Sequence, residues 1–322
     1  MRALVTGGAG FIGSHICQEL LSKGHQVIAL DNLASGRIEN FCEFKDSKNF
    51  EFEKVDILNK GMLGPLFKDV DWVFHLAYTT LPQTSNDDPV YDIRSNVIDT
   101  VQLLTECTRG GVKKVIFISS GGTVYGVPKT TPIKESHTNE PICSYGITKL
   151  AIEKYLHLFH EIHGLEYVVA RLSNPYGELQ NPQAKQGAIG VFLGHAARNE
   201  PITIWGDGEV IRDYVYITDT IDALIAAAKY QPKDKKSPRI FNVSSGTGHS
   251  LNDLIATMKE IVGHNITVNY TPSRSLDVPA NVLDNTLAKE HLGWQPRVSL
   301  QDGMARSWDW INSFYSNQAV PH

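Results

Sequence analysis

Apolar and polar positions follow two different periods along the first half of the chain. Short runs rich in apolar residues indicate strands at 3–5, 26–30, 50–55, 72–76, 114–120 and 167–172. Between them, apolar residues recur at helical spacing, which predicts helices over 14–23, 60–67, 91–109 and 145–163. Strands that alternate with helices favour a parallel, doubly wound sheet with helices on both faces. The pattern therefore predicts an α/β fold whose ligands bind beyond the carboxyl ends of the strands.

A glycine-rich turn, GGAGFIG at 7–13, joins the first predicted strand to the first predicted helix. We expect Gly8 to permit the tight turn, Gly10 to let the backbone approach a pyrophosphate, and Gly13 to let helix and strand pack closely. Asp31 ends the second predicted strand, eighteen residues after Gly13, where a carboxylate accepts hydrogen bonds from an adenosine ribose. A strand–helix connection without a ligand also uses glycines. The strand, the helix and the acid together favour a dinucleotide site in a Rossmann-type fold.

The residues around Asp31 favour NAD over NADP as the dinucleotide. A carboxylate repels a 2′-phosphate, and Asn32 and Leu33 offer no positive charge to hold one. Arg37 is the nearby cation, and we interpret it as a solvated loop residue.

The second half of the chain has a different pattern. A long polar stretch rich in Gln, Asn and Pro occupies 178–187. Helices are predicted over 191–198 and 219–229, and strands over 202–205 and 240–243. We predict a cofactor-binding domain over 1–173 and a smaller α/β substrate-binding lobe over 174–322, with the strand at 240–243 rejoining the main sheet.

Composition narrows the possible partners and the location. The 322 residues are 42% hydrophobic and 20% charged, which is typical of a folded protein without long disorder. A net charge of −5 without a basic block argues against nucleic acid or an anionic membrane as the main partner. The chain shows no apolar run long enough to span a bilayer and no signal peptide before the first strand, so we expect a cytoplasmic protein. Four scattered cysteines lack metal-ligand spacing, so we predict reduced thiols and no metal site: Cys17, Cys42, Cys107 and Cys143.

Tyr145 and Lys149 are the strongest candidates for catalysis. They lie four residues apart on a predicted helix, so both side chains share one face. A phenol with a pKa of about 10 is a poor base at neutral pH, but a lysine ammonium beside it favours the phenolate. The tyrosine would then accept the proton of a substrate hydroxyl. The alternative is an exposed lysine and a tyrosine that only packs on the sheet, which the neighbouring dinucleotide site disfavours.

Motifs along nearly the whole chain resemble those of the extended short-chain dehydrogenases/reductases, in the nucleotide-sugar epimerase and dehydratase group. In the first half they are TGGAGFIG at 6–13, DNL at 31–33, DI at 56–57, HLA at 75–77, Asn96, SS at 119–120 with VYG at 124–126, and YGITK at 145–149. In the second half they are RLSNPYG at 171–177, RDYVY at 212–216 and LGW at 292–294. The pattern is most similar to that of the UDP-glucose 4-epimerases. The set is highly specific for the superfamily and much less specific for the substrate.

The resemblance implies which residues bind the cofactor and the substrate. NAD would be held by Gly7, Gly10, Phe11, Ile12, Gly13, Asp31, Asn32, Asp56, Ile57, Leu76, Ala77, Asn96, Ser119, Tyr145 and Lys149. Asn174, Arg212 and Arg274 would hold the diphosphate of a UDP-sugar, so that an acidic protein binds a dianion through local arginines. Thr80 and Val282 would lie at the sugar, where a residue as small as Val282 leaves room for a 2-acetamido group, unless it only packs. A homodimer through the helices predicted over 91–109 and 145–163 is also implied.

Two departures from the family pattern affect the predicted chemistry. Where relatives carry a Ser or Thr that polarises the reacting hydroxyl, this chain has Gly121. We expect Ser120 first, and Thr123 second, to supply that hydroxyl. Gly122 and Thr123 stand where dehydratases carry an acidic pair, and the lack of a carboxylate there disfavours a dehydration.

Three functions follow from these residues. The first is an NAD-dependent epimerase that inverts C4 of a nucleotide sugar through a 4-keto intermediate, with UDP-glucose, UDP-galactose or an N-acetyl or uronate relative as substrate. The second is an NAD(P)H-dependent 4-ketoreductase of a deoxysugar nucleotide. The third is a non-catalytic nucleotide-sensing protein on the same fold. The intact Tyr145 and Lys149 disfavour the third.

Overall fold

The computed structural model describes residues 1–56, 64–184, 186–273 and 278–318. Its strands, numbered in chain order, are β1 (Arg2–Thr6), β2 (Gln26–Asp31), β3 (Phe50–Lys54), β4 (Trp72–His75), β5 (Lys114–Ser120), β6 (Glu166–Leu172), β7 (Asn174–Tyr176), β8 (Ile202–Trp205), β9 (Ile211–Tyr216), β10 (Ile240–Val243), β11 (Gly248–Ser250), β12 (Val268–Thr271) and β13 (Ala280–Asn281). Seven of them form one parallel sheet in the order β10-β6-β5-β4-β1-β2-β3. The predicted parallel sheet is confirmed, and β10 at 240–243 forms its edge beside β6.

Helices connect these strands. They are α1 (Phe11–Ser22), α2 (Pro89–Asp92), α3 (Asp99–Gly110), α4 (Ser144–His163), α5 (Ala188–Ala197), α6 (Ile217–Lys229), α7 (Leu251–Val262) and α8 (Leu300–Gln318). The helix predicted over 91–109 starts earlier, because the Asp88 side chain accepts a hydrogen bond from Tyr91 N and Pro89 occupies the first turn. A π-helical segment, Ile93–Ile98, joins α2 to α3. Of the helix predicted over 60–67, only a short 3₁₀ turn at Gly64–Phe67 lies within the described residues.

Apolar side chains cover both faces of the main sheet, which explains why its inner strands are rich in apolar residues. One face packs against α3 and α4 in a cluster that includes Leu4, Val73, Val115, Leu103 and Ile152. The opposite face packs against α1 and α6 in a cluster that includes Val5, Phe74, Ile116, Ile16 and Leu224. Helices on both faces confirm the doubly wound arrangement. In the described part of the chain no helix is both long and apolar enough to cross a bilayer.

Short strands of the second half meet the carboxyl end of the main sheet. β7 follows β6 after a single residue and pairs with β9, which also pairs with β11 and β13. The buried carboxylate of Asp213 in β9 accepts hydrogen bonds from Ser245 N at 2.8 Å and from Leu283 N at 3.3 Å. The segments after β10 and β13 are thereby held against β9.

Candidate active site

The glycine turn is built by close contacts that exclude side chains. Gly7 has φ +69°, a conformation that favours glycine. A Cβ on Gly13 would lie 2.1 Å from Gly7 O, so helix α1 can approach the turn this closely only with glycine there. A Cβ on Gly8 would lie 2.7 Å from Ala29 Cβ. The expectation that Gly8 makes the turn is therefore wrong: Gly7 makes it, and Gly8 lets the turn pack on β2.

The start of α1 fits the pyrophosphate of a dinucleotide. The helix begins at Phe11, and its N-cap residue is Gly10. Among the described residues, no side-chain hydrogen bond caps this end of the helix. The amide groups of its first turn therefore point outward at the positive end of the helix dipole, where an anion is stabilised. Phe11, Ile12 and Gly13 form this turn, so α1 begins three residues before the start at Ser14 that the sequence predicts.

Asp31 lies at the carboxyl end of β2, close to the glycine turn. Its Oδ2 accepts from Ala9 N at 3.0 Å and its Oδ1 from Leu33 N at 2.8 Å, which fixes the carboxylate. Burial raises the pKa of Asp31, while these two amides lower it. Asn32 Nδ2 donates to Asp56 Oδ2 at 3.1 Å, so the ends of β2 and β3 are joined at the expected adenine side. Ile57 lies outside the described residues.

Leu76 and Ala77 line the other side of the glycine turn. A Cβ on Gly7 would lie 2.9 Å from Ala77 N. Thr6 Oγ1 accepts from Leu76 N and Ala77 N, both at 3.2 Å, which holds the end of β4 against the end of β1. His75 is buried between the hydroxyls of Thr6 and Thr100, at 2.8 Å from each, and burial with the nearby Lys149 lowers its pKa to about 3. This histidine is therefore neutral and structural.

Tyr145 and Lys149 lie in the first turns of α4, and the Lys149 side chain reaches the main sheet. Lys149 is buried, and its Nζ donates to Ile118 O in β5 at 2.7 Å. Burial lowers the pKa of Lys149 to about 7, against the raising effect of Glu153 and Asp92. The Nζ atom lies 5.6 Å from the centre of the Tyr145 ring. Burial, followed by Cys143 and Asp92, raises the pKa of Tyr145, so its phenol is protonated at neutral pH unless a positive charge approaches.

The loop after β5 carries the two hydroxyls proposed to replace the missing one at residue 121. A Cβ on Gly121 would lie 2.3 Å from Leu283 Cδ1, so Leu283 occupies the space of a side chain there. Ser120 and Thr123 lie in one turn, in which Thr123 N donates to Ser120 O at 3.3 Å. Thr123 Oγ1 is buried and has no hydrogen-bond partner among the described residues. Because its oxygen lacks a hydrogen-bond partner, Thr123 is the better candidate of the two to bind a ligand.

Three predicted site residues use their side chains inside the protein. Ser119 Oγ donates to Glu153 Oε1 at 2.6 Å. Asn96 Oδ1 accepts from Thr79 N at 3.0 Å, and its Nδ2 donates to Asp92 Oδ1 at 2.8 Å. Thr80 Oγ1 donates to the same Asp92 oxygen at 2.6 Å. These side chains hold the loop after β4 and the end of β5, so a cofactor or sugar would meet their main chain rather than their polar groups.

Two of the predicted diphosphate residues, Asn174 in β7 and Arg212 in β9, lie on neighbouring short strands. Asn174 Nδ2 donates to Asp213 O at 2.8 Å, and Arg212 Nη1 donates to Val278 O at 2.7 Å. Arg274 lies outside the described residues. Val282 lies against Gly248, because a Cβ on Gly248 would be 2.7 Å from Val282 Cγ2.

The residue before Val282 faces the loop after β5 instead. Asn281 Nδ2 donates to Gly121 O at 3.1 Å, and Asn281 Oδ1 is buried without a partner among the described residues. Residues in a strand alternate between faces, so Asn281 and Leu283 share the face that Val282 does not. The alternation is visible in the sequence, but which face meets the loop is not, so sequence reasoning missed Asn281.

The fold and the site define a class of protein. A glycine turn at a helix start, an acid after the next strand and a Tyr-x-x-x-Lys pair on one sheet edge make a Rossmann-type dinucleotide-binding protein with a proton-transfer pair. The chain belongs to the NAD-dependent epimerase/dehydratase family, whose model matches residues 3–244. The resemblance noted in the sequence is thereby confirmed.

Similar proteins share this organisation over nearly their full length. A UDP-glucose 4-epimerase of Mycolicibacterium smegmatis is 37% identical over 315 residues, which cover 97% of this chain and 99% of that protein. A crystal structure of UDP-glucose 4-epimerase with UDP-glucose from Thermotoga maritima has 38% identity and a TM-score of 0.91, covering 98% of this chain and 100% of the other. A Bacillus cereus UDP-glucuronic acid 4-epimerase with UDP-glucuronic acid and NAD has 32% identity and a TM-score of 0.89, covering 98% and 100%.

Proposed function

We propose that this protein is an NAD-dependent isomerase that inverts C4 of a UDP-sugar. The observation that carries the proposal is a continuous set of contacts from the glycine turn to the Tyr-Lys pair. Gly7 packs against Ala77, and the next residue, Tyr78, lies 4.7 Å from Tyr145 between ring centres. A dinucleotide on the glycine turn therefore extends toward the phenol. The named 4-epimerases among the similar proteins support the same reaction.

NAD would be held by the start of α1 at its pyrophosphate, by Asp31 at its adenosine ribose, and by Lys149 with Tyr145 at its nicotinamide ribose. Bound there, NAD would supply the acceptor and donor of the hydride at C4 of the sugar. As a phenolate, which the Lys149 ammonium and a positively charged nicotinamide ring would together favour, Tyr145 would accept the proton of the C4 hydroxyl as the ketone forms, and would give it back as the hydroxyl forms again on the other face. The Lys149 ammonium stabilises the phenolate during this step. Thr123, and Ser120 as the alternative, donate a second hydrogen bond to the reacting oxygen.

The substrate part of the proposal divides the chain at the end of β6. Residues 1–173 bind the cofactor, and 174–322 bind the nucleotide sugar. Asn174, Arg212 and Arg274 would grip the diphosphate, since guanidinium groups bind phosphate oxygens well. Firm binding there leaves the sugar free to turn, because the energy that retains the substrate comes from a part of it that does not react.

The test uses purified protein and three pairs of C4-epimeric UDP-sugars without added NAD. UDP-glucose, UDP-galactose and their N-acetyl and uronate forms are incubated separately, and the C4 epimers are measured by proton NMR. We expect conversion of at least one of them, and a loss of at least about 100-fold in Tyr145→Phe. Tyr155→Phe is the matched control, because it removes a phenol from the same helix at a position that is 38% exposed. No conversion of any substrate by the wild type would exclude the proposal.

A 4-ketoreductase remains the second candidate, because a dTDP-4-dehydro-6-deoxyglucose reductase of Escherichia coli is 33% identical over 308 residues. A reductase uses the same Tyr-Lys pair but consumes the reduced dinucleotide in proportion to product. Oxidation of added NADH with a 4-keto-6-deoxy sugar nucleotide, together with failure to epimerise UDP-sugars, would favour it. Retained turnover in Tyr145→Phe would instead favour a protein without this catalytic pair.

We further propose a cytoplasmic homodimer. Apolar side chains are exposed on α2, on the π-helical segment and on α4, including Val90 at 58%, Ile93 at 46%, Ile147 at 55% and Ile162 at 63%. Such a surface on two neighbouring helices suits an isologous interface. The four free cysteines suit a reducing compartment. Light scattering of wild type and Ile162→Glu tests the dimer, which the charge should weaken.

A further inference from the structure

Tyr78 lies where the helix of the Tyr-Lys pair meets the glycine turn. Its ring lies edge-on to the Tyr145 ring, with 4.7 Å between ring centres. The Lys149 Nζ atom lies 3.8 Å from the centre of the Tyr78 ring. The same atom lies 4.8 Å from the ring centre of Phe117 and 5.6 Å from that of Tyr145. Tyr78 therefore offers the ammonium its nearest aromatic face among these three rings.

A buried carboxylate anchors the Tyr78 ring. Tyr78 Oη and Thr148 Oγ1 share a hydrogen bond in which either hydroxyl can donate. Thr148 Oγ1 is also within hydrogen-bond distance of Asp92 Oδ2, at 3.2 Å, and of Ser144 O and Tyr145 O, both at 3.0 Å. Asp92 is 0% exposed, and its carboxylate also accepts from Ser144 Oγ and Thr80 Oγ1, both at 2.6 Å. Ser144 and Thr148 flank Tyr145 in the first turns of α4. The network therefore ties the Tyr78 hydroxyl to the helix that carries both catalytic candidates.

We infer that Tyr78 is a positioning residue for the Tyr145–Lys149 pair, whose ring holds the Lys149 ammonium on its face and whose hydroxyl is anchored through Thr148 to Asp92. This inference rests on the proposed function, because it concerns the same proton transfer. A cation over an aromatic face is attracted by the ring quadrupole, and more strongly where water is excluded. The ring thus offsets part of the cost of burying the ammonium and keeps the charge beside the Tyr145 phenol.

The other groups around Lys149 determine what loss of the ring would change. Burial lowers the pKa of Lys149 to about 7, while Glu153, on the next turn of α4, and Asp92 raise it. His75, beneath Phe117, has a pKa of about 3 and is neutral, so it adds no positive charge. Burial raises the pKa of Tyr145, which adds no negative charge at neutral pH. With these groups unchanged, removal of the ring favours the neutral amine and lowers the pKa of Lys149.

The first test compares Tyr78→Leu with Tyr78→Phe in the full chain. Leucine is apolar but has no ring, whereas phenylalanine keeps the ring and loses only the hydroxyl. The Lys149 pKa is measured by NMR titration of protein labelled with ¹³C-lysine, with Lys149→Met identifying the signal. We expect the pKa in Tyr78→Leu to lie about one pH unit below that in the wild type and in Tyr78→Phe. An equal or higher pKa in Tyr78→Leu overturns the inference.

The second test is the pH profile of kcat for C4 inversion. A pKa that falls from about 7 to about 6 lowers the charged fraction of Lys149 at pH 7 about fivefold. We expect the alkaline limb of kcat to move to lower pH in Tyr78→Leu, with KM changed less than twofold. A loss of kcat that is equal at every pH would indicate a structural role only, and so contradicts the inference.

Two further points keep these tests decisive. If Tyr78→Leu does not fold, Tyr78→Met replaces it, since methionine adapts to irregular apolar space without an aromatic face. If the wild type leaves C4 of every UDP-sugar unchanged, the proposed function fails, whereas the NMR titration still decides whether the Tyr78 ring holds the Lys149 charge.

Discussion

Gly121→Ala tests the contact between the loop after β5 and the segment after β13. A Cβ at residue 121 would lie 2.3 Å from Leu283 Cδ1 and 3.3 Å from Leu172 O. Carbon atoms in ordinary contact are about 3.5–4.0 Å apart, so the Leu283 side chain must move by about 1 Å or more. Leu283 is 0% exposed in a small cluster with Val124, Tyr125 and Ile133, which leaves it little room. Overpacking of this kind lowers the free energy of unfolding by about 1–3 kcal/mol.

The assay is urea denaturation followed by circular dichroism and tryptophan fluorescence. Gly122→Ala is the matched control, because a Cβ there would meet only Ser120 Oγ, at 3.7 Å, among the described residues. Both substitutions reduce the conformational entropy of the unfolded chain equally. The difference between their free energies of unfolding therefore measures the clash alone. We expect Gly122→Ala to change the free energy of unfolding by less than about 1 kcal/mol.

A double variant separates this clash from other effects. Leu283→Ala alone should cost about 2–5 kcal/mol through the cavity it leaves. In Gly121→Ala/Leu283→Ala the new methyl group fills part of that cavity, so the total cost should be at least about 1 kcal/mol less than the sum of the single variants. Strict additivity, or a Gly121→Ala protein as stable as Gly122→Ala, would refute the contact.

Three other predictions concern the cofactor turn and the buried charges. Gly13→Ala should weaken NAD binding at least about tenfold in calorimetry, because its Cβ would lie 2.1 Å from Gly7 O and push α1 away from the turn; unchanged affinity would count against the proposed cradle. Lys149 has a pKa of about 7 when folded against its ordinary 10.5, so the folded state binds fewer protons, and stability should rise as pH increases from about 7 to about 10.5. Lys149→Met should lose this rise in chemical denaturation series, and an unchanged slope would contradict the burial of the charge. Arg171 is 1% exposed and pairs with Glu153 at 2.6 Å. Glu153→Gln should lower the free energy of unfolding by about 3–5 kcal/mol, because it leaves this buried guanidinium without a carboxylate. A loss below about 1 kcal/mol would argue against the buried pair.

Much of the fold could be predicted because its elements are locally encoded. The inner strands of the main sheet are apolar runs buried on both faces, and α4 has helical spacing from Tyr145 to its end at His163. The π-helical segment Ile93–Ile98 was not predictable, since it interrupts a stretch whose spacing suits one continuous helix. The turn residue was also assigned wrongly, because the positive φ of Gly7 and the contact of Gly8 with Ala29 depend on how the turn packs against Ala77 and β2.

The candidate site was also only partly predictable from the sequence. Spacing four apart placed Tyr145 and Lys149 on one face, and the order strand, glycine turn, helix and acid pointed to a dinucleotide. Tyr78, Asp92 and Asn281 could not be found like this, because each acts through residues more than ten positions away in the chain. Nothing local distinguishes Asp92 from a solvated acid at a helix end.

The sequence by itself therefore determined the class of protein: the parallel sheet, the glycine turn, Asp31 and the Tyr-Lys pair. Only the tertiary structure decided that Leu283 fills the space over Gly121, that Asn281 rather than Val282 faces that loop, and that Lys149 is buried against the Tyr78 ring. The physical reason is that propensity and periodicity act between neighbours along the chain. Steric exclusion, burial and the resulting pKa changes depend on which distant segments the fold brings together.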